Sequence, residues 1–233
     1  MDDAIYDLLQ NLIKTNEPVR FYNTYRGMPV NFSGNILKMI GKRALFKVSN
    51  LQIYNIILNK GTYIKISRPE TMLYAQAADY SMRDETVDLW GFDRRANNIG
   101  LRNEIRVEPQ KKMGAFLNAS ENANLPISIY DLSVRGMRFR FDIALFDPKL
   151  FVIGRRMPVL FYIPTASAAS KGMMINYDIE LRNVMTDRSR KNIYVGALSY
   201  PDKNAENYLV RYLAYRQKEL LVELKALCNA NLL

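Results

Sequence analysis

From Val19 to Tyr200 the sequence breaks into short runs of branched and aromatic residues, each closed by Gly, Asn, Ser or Asp, with no long helical pattern between them. Residues 31–40, 43–50, 51–58, 62–67, 72–82 and 85–92 make one series, and 112–120, 127–133, 136–143, 156–164, 174–185 and 192–200 make another. Strands at such intervals are too close for helical crossovers, so they pair with antiparallel neighbours. A small sheet of this kind buries its apolar side by curling into a barrel. The polar stretch 186–191, TDRSRK, reads as a hairpin loop between the last two runs.

Both ends read as helix. In residues 3–14, Ile5, Leu8, Leu9, Leu12 and Ile13 share a helical face, with Asp2 and Asp3 at the start and Asn16 and Pro18 beyond the end. After Pro201, Leu209, Leu213, Leu220, Leu221 and Leu224 repeat at helical spacing, which predicts a longer helix that caps a barrel mouth or carries a partner surface. The expected fold is mainly β: two small antiparallel β-barrels in tandem, a short N-terminal helix and a longer C-terminal helix. The polar segment at 93–101, DRRANNIGL, divides them. The expected boundaries are an N-terminal accessory barrel over 1–93, a linker over 94–101, and a second domain over 102–233 that includes the C-terminal helix.

Composition narrows the function classes. Of 233 residues, 33 are Lys or Arg and 23 are Asp or Glu, a net charge of +10. Such an excess suits phosphate-bearing partners and equally suits a solvated basic surface. Histidine is absent and Cys228 is the single cysteine, which removes the commonest general base, a Cys/His metal site and an internal disulfide. No nucleophile or acid/base pair can be assembled from the rest, so the chain is not expected to be an enzyme. No apolar run reaches the roughly 18 residues of a membrane span, and the acidic start is unlike a secretory signal. Neither membrane insertion nor DNA binding is expected, and a cytoplasmic location is.

Two local patterns stand apart. Arg102 and Arg106 are the only arginines in the sequence four residues apart. Asp131-Leu-Ser133-Val-Arg-Gly136 is the only Asp/Asn-x-Ser-x-x-Gly stretch. Either alone is weak. In this order, opening a six-stranded region that ends in a helix, they resemble the PilZ domain, whose signature is RxxxR followed by (D/N)xSxxG. The resemblance covers about 101–227. More loosely, by layout alone, the N-terminal half resembles the accessory barrel of flagellar-brake-type PilZ proteins.

The chemistry is coherent in its own right. Guanine presents O6 and N7 as adjacent acceptors that an arginine fork meets with two parallel bonds, and the same fork suits phosphate oxygens. If extended, residues 102–106 span about 13 Å, enough for two arginines on one side to hold different parts of a dinucleotide. Asp131 and Ser133 share a strand face, where a carboxylate can accept from guanine N1 and N2. Gly136 permits a positive φ or a close approach that a side chain would block.

The resemblance implies that Arg102, Arg106, Asp131, Ser133 and Gly136 contact cyclic di-GMP, with no other cofactor and no metal. Leu101, just before the first arginine, supplies no extra guanidinium and points to one ligand per chain. Arg95 and Arg138 are possible additional contacts. Arg135, Arg138 and Arg140 should lie outside the barrel, with Met137, Phe139 and Phe141 inside. The family layout further implies a ligand-driven change between the two domains that regulates a protein partner, in the flagellar motor or other motility or surface-attachment machinery. The rival readings are a ligand-free adaptor and a basic binder of RNA or single strands.

Overall fold

The structure, a computed structural model, describes residues 2–95, 105–120, 123–164 and 172–231. The first helix, α1 (Asp3–Thr15), starts where the Asp2 carboxylate accepts from the Ala4 N–H at 2.7 Å. It stops at Asn16, whose left-handed backbone (φ 50°) ends the helical turn. Its buried face is Ile5, Leu9 and Leu12, part of the expected stripe.

Six strands follow: β1 (Val19–Tyr25), β2 (Met28–Ile40), β3 (Arg43–Lys47), β4 (Gly61–Ile66), β5 (Thr71–Ser81) and β6 (Thr86–Arg94). They close into an antiparallel barrel in the order β1-β2-β3-β6-β5-β4. The β1–β2 hairpin turns on Arg26 and Gly27, both at positive φ, the two-residue geometry that matches strand twist. Inside, Phe21 meets Phe46 edge to face at 5.4 Å, and Ile64, Leu73 and Leu89 are fully buried.

One expected strand is absent. Residues 51–58 lie within a helix, α2 (Asn50–Leu58). Its inner side combines Ile53 and Ile56 with two buried amides, Gln52 and Asn55. Gln52 Nε2 donates to Asn23 Oδ1 at 2.7 Å, the Thr62 hydroxyl donates to the same oxygen at 2.8 Å, and Asn23 Nδ2 donates to the Gly61 carbonyl at 2.7 Å. This network ties α2 to β1 and β4. Tertiary packing overrides the β-propensity of the run's branched and aromatic residues.

The second series forms β7 (Met113–Ser120), β8 (Ala123–Leu132), β9 (Gly136–Asp142), β10 (Arg156–Ile163), β11 (Met173–Asp187) and β12 (Asn192–Tyr200). These also close into an antiparallel barrel, in the order β10-β11-β12-β9-β8-β7. Met137, Phe139 and Phe141 point into its core with Leu117, Val159, Ile179 and Val195, while Arg138 and Arg140 alternate outward. The expected 186–191 hairpin is present, its turn following Asp187.

The last element is α3 (Lys203–Ala230). Leu209, Leu213, Leu220 and Leu224 are buried along it, whereas Leu221 is half exposed. Two compact units emerge: residues 1–103 together with 220–233, and residues 104–219. The last turns of α3 therefore count with the first unit, where the sequence reading placed the whole helix in the second. Within the first unit Glu223 accepts from the Tyr25 hydroxyl at 2.7 Å and from Arg26 at 3.0 Å. Cys228 is free and buried, and burial pushes its thiol pKa up. Among the described residues no helix is long and apolar enough to cross a membrane.

Phe139 is fully buried in the second barrel. Phe139→Ala is expected to cost about 3–5 kcal/mol through lost contacts and a residual cavity, read as a lowered unfolding midpoint by calorimetry.

A candidate anion and nucleobase site at one corner of the second barrel

The site is built on the hairpin joining β8 to β9. Leu132 and Gly136 end the two strands, and the Ser133 N–H donates to the Gly136 carbonyl at 2.8 Å across a two-residue turn. The Ser133 hydroxyl donates to the same carbonyl at 3.0 Å. Another segment is laid against this corner by a single backbone bridge. The Val107 and Leu132 N–H groups each donate to the other's carbonyl at 3.0 Å. The bridge places Arg106, one residue earlier, over the turn.

The Arg106 guanidinium then lies between the two halves of the second motif. Its Nη1 is 3.6 Å from Asp131 Oδ1, and a Cβ added at Gly136 would stand 3.0 Å from its Nη2. Gly136 is needed for this close approach; its φ is not in the left-handed region. On its other side Asp131 is bound by Arg138, with Nη2 to Oδ2 at 2.9 Å. Asp131 and Ser133 are almost wholly buried, whereas Arg106 and Arg138 keep about a third of their side chains in solvent. Fixed carboxylate and hydroxyl groups therefore sit beneath two partly free guanidinium forks. Such an arrangement can accept from N–H donors of a base while presenting cations to phosphate.

Of the sequence-derived residues, Arg106, Asp131, Ser133, Gly136 and Arg138 come together here. Leu101 and Arg102 lie outside the described residues. Arg95 belongs to the first unit, where it donates to Asp93 at 3.0 Å and stacks over the Tyr74 ring.

Three features were not foreseen. Tyr130 packs edge to face on Tyr194 at 5.8 Å and lies under the Arg138 guanidinium, which adds an aromatic surface beside Asp131. Arg216 of α3, only 2% exposed, donates to the Glu108 carbonyl at 3.0 Å and so braces the segment that carries Arg106. A groove of about 410 Å³ adjoins the turn, lined by Val134, Arg135, Leu198, Tyr200 and Glu206 among others. Its Tyr200 is held in place: the hydroxyl donates to Glu180 at 2.8 Å and Arg156 lies over the ring at 4.4 Å. An arginine in a helix is ordinarily read as solvated, and cross-strand partners depend on register, so neither leaves a local signal in the sequence.

Among the described residues no group of acidic, Cys or His side chains could hold a metal ion. No protein-family model matches the chain, and no curated protein matches it. Solved structures similar to it include the Bacillus subtilis inhibitor of motility MotI/DgrA, at 12% identity over 87% of this chain and 97% of that one, with a TM-score of 0.44. The Escherichia coli YcgR–c-di-GMP complex is similar at 15% identity, over 96% and 94% of the two chains, also at 0.44. The K. pneumonia MrkH–c-di-GMP complex is similar at 9% identity, over 97% and 96%, again at 0.44.

The Tyr200 hydroxyl, with Arg182 and Arg156 beside it, holds the Glu180 carboxyl below its ordinary pKa. A group lowered on folding stabilises above its unfolded pKa of about 4.3 and loses that contribution as pH falls through the lower folded value. Glu180→Gln should therefore lower the melting temperature at about pH 7 and matter progressively less towards about pH 3.

Proposed function

We propose that this chain is a receptor for cyclic di-GMP, that the β8–β9 corner of its second barrel is the binding site, and that it acts by binding alone, without catalysis. The observation that supports the reading is the placement of Arg106 between Asp131 and Gly136. Two motif fragments well separated in sequence converge on one spot, with the polarity the ligand requires. Asp131 would accept from guanine N1 and N2, Ser133 would add a bond to base or phosphate, and the Arg102 and Arg106 forks would take phosphate oxygens or guanine O6 and N7.

Binding has to compete with the internal ion pairs. Arg106 is 3.6 Å from Asp131, longer than a direct hydrogen bond, so swinging it onto the ligand gives up little. Arg138 orients the carboxylate, with Nη2 2.9 Å from Oδ2. Signalling follows if the ligand prefers one arrangement of the two units over another, since it can shift that equilibrium only by its differential affinity. Arg102 and Arg106, which flank the unit boundary at Asn103, would supply that difference. The output is altered engagement of a protein partner in motility or surface-attachment machinery.

Calorimetric titration of cyclic di-GMP tests the reading. Wild type is expected to bind saturably at micromolar concentration or below. Arg102→Ala and Asp131→Ala should each weaken binding about 10- to 100-fold, the worth of one or two charge-assisted bonds. Gly136→Ala, which puts a methyl 3.0 Å from Arg106 Nη2, should also weaken it while leaving the melting temperature nearly unchanged. Absence of binding in wild type would sink the proposal and leave a ligand-free adaptor or a nucleic-acid binder.

A further inference from the structure

Part of the outward face of β7, β10 and β11 is an apolar patch, although the chain carries a net charge of +10. Strand register brings its residues together. Phe116 stands opposite Pro126 on one side and Leu160 on the other, and Tyr162 stands opposite Met174. Phe116 is 51% exposed, Leu160 38%, Tyr162 48% and Met174 53%, and Pro126 and Pro158 are exposed beside them. A half-exposed aromatic ring shows about 100 Å². The patch then amounts to about 400 Å², within the range of the largest apolar patch on a monomer, which is often functional. It lies on different strands from the β8–β9 corner, and the receptor reading makes no use of it.

We infer that this face is where two copies of the chain associate, about a two-fold axis lying in the plane of the face. Area, rim chemistry and charge placement each favour a second copy as the occupant. A stable interface needs about 800 Å² per partner, with an apolar core inside a polar rim. The patch supplies a core of about half that area, and exposed Asn118, Asn124 and Asn176 border it. In a two-fold contact rim groups meet rim groups of the same kind. Amides tolerate this because each both donates and accepts, whereas a basic rim would repel its own image.

Lys111 and Glu219 share a groove with Tyr162 on the α3 side of the patch, and two further charges that flank it fit the same symmetry. Lys112 lies just before β7, two residues from outward-facing Gly114. Asp178 lies on β11 opposite Pro158, two residues beyond Asn176. They stand at diagonally opposite corners, about 20 Å apart by strand spacing. Among the described residues neither has an ion-pair partner. An in-plane axis perpendicular to that diagonal sets Lys112 of each copy against Asp178 of the other. Past Pro158, the next outward pair on β10 and β11, Arg156 and Glu180, is already joined at 3.3 Å and adds no repulsion.

Sedimentation velocity of the full chain, without cyclic di-GMP, tests this independently of the receptor reading. Wild type is expected to pass from monomer to dimer between about 1 and 100 μM, the weak end for an interface of this area. Leu160→Glu, at an exposed position, should leave only monomer while far-UV circular dichroism and melting stay as in wild type. Lys112→Glu should weaken the dimer about tenfold, more at low salt than at high. Lys112→Glu combined with Asp178→Lys should restore it. A wild-type chain that stays monomeric at about 100 μM overturns the proposal and gives the face to another protein or to a lipid surface. A dimer that survives Leu160→Glu overturns it by placing the contact elsewhere. A double variant no tighter than Lys112→Glu overturns the two-fold arrangement.

Discussion

The candidate site depends on one pair of backbone hydrogen bonds, those joining Val107 to Leu132. They continue the line of β7 along the edge of β8 and so decide where the preceding residue projects. Because Val107 is fully buried in the barrel wall, Arg106 must turn the other way, onto Asp131 and the glycine turn. Arg216 acts on the same stretch from the opposite end, holding the Glu108 carbonyl from α3. Burying that guanidinium costs solvation, and Glu219, whose carboxylate lies 3.2 Å from it, offsets part of the cost. A short span of chain is thus fixed at successive residues by sheet, carboxylate and helix.

The same economy appears in the first unit with neutral groups. Asn23, Gln52 and Thr62 share hydrogen bonds around a single amide oxygen, which lets a helix dock against β1 and β4 with polar atoms on its inner side. A purely apolar helix could slide in that position. The directional bonds set its register, as buried polar networks do when their members are mostly satisfied.

Much of this was legible in the sequence, and what was missed has physical reasons. Alternation in Met137–Phe141 places the aromatics inside and the arginines outside, because successive side chains on a strand take opposite faces. The two motif fragments could be paired by their order, and the fold brings Arg106 to Asp131 and Gly136. Residues 51–58 misled because Leu, Ile and Tyr at short intervals suit a strand as well as a buried helix, and a run so short has too few turns to show a period. Arg216 was invisible for a different reason. Its burial is set by a carbonyl more than a hundred residues earlier, which no local pattern records. Glu180, Arg156 and Tyr200 form one cluster only because register aligns three strands.

Closure of both sheets has a further consequence for recognition. An open sheet exposes a row of unpaired N–H and C=O groups, and many signalling domains recruit peptides by adding them there as an extra strand. Each barrel here has given its last edge to its own first strand. Along the paired lengths of both barrels backbone templating is therefore closed, and recognition there is read by side chains on the outer faces. Changes to a few outward residues could redirect such recognition while every ladder hydrogen bond stays in place.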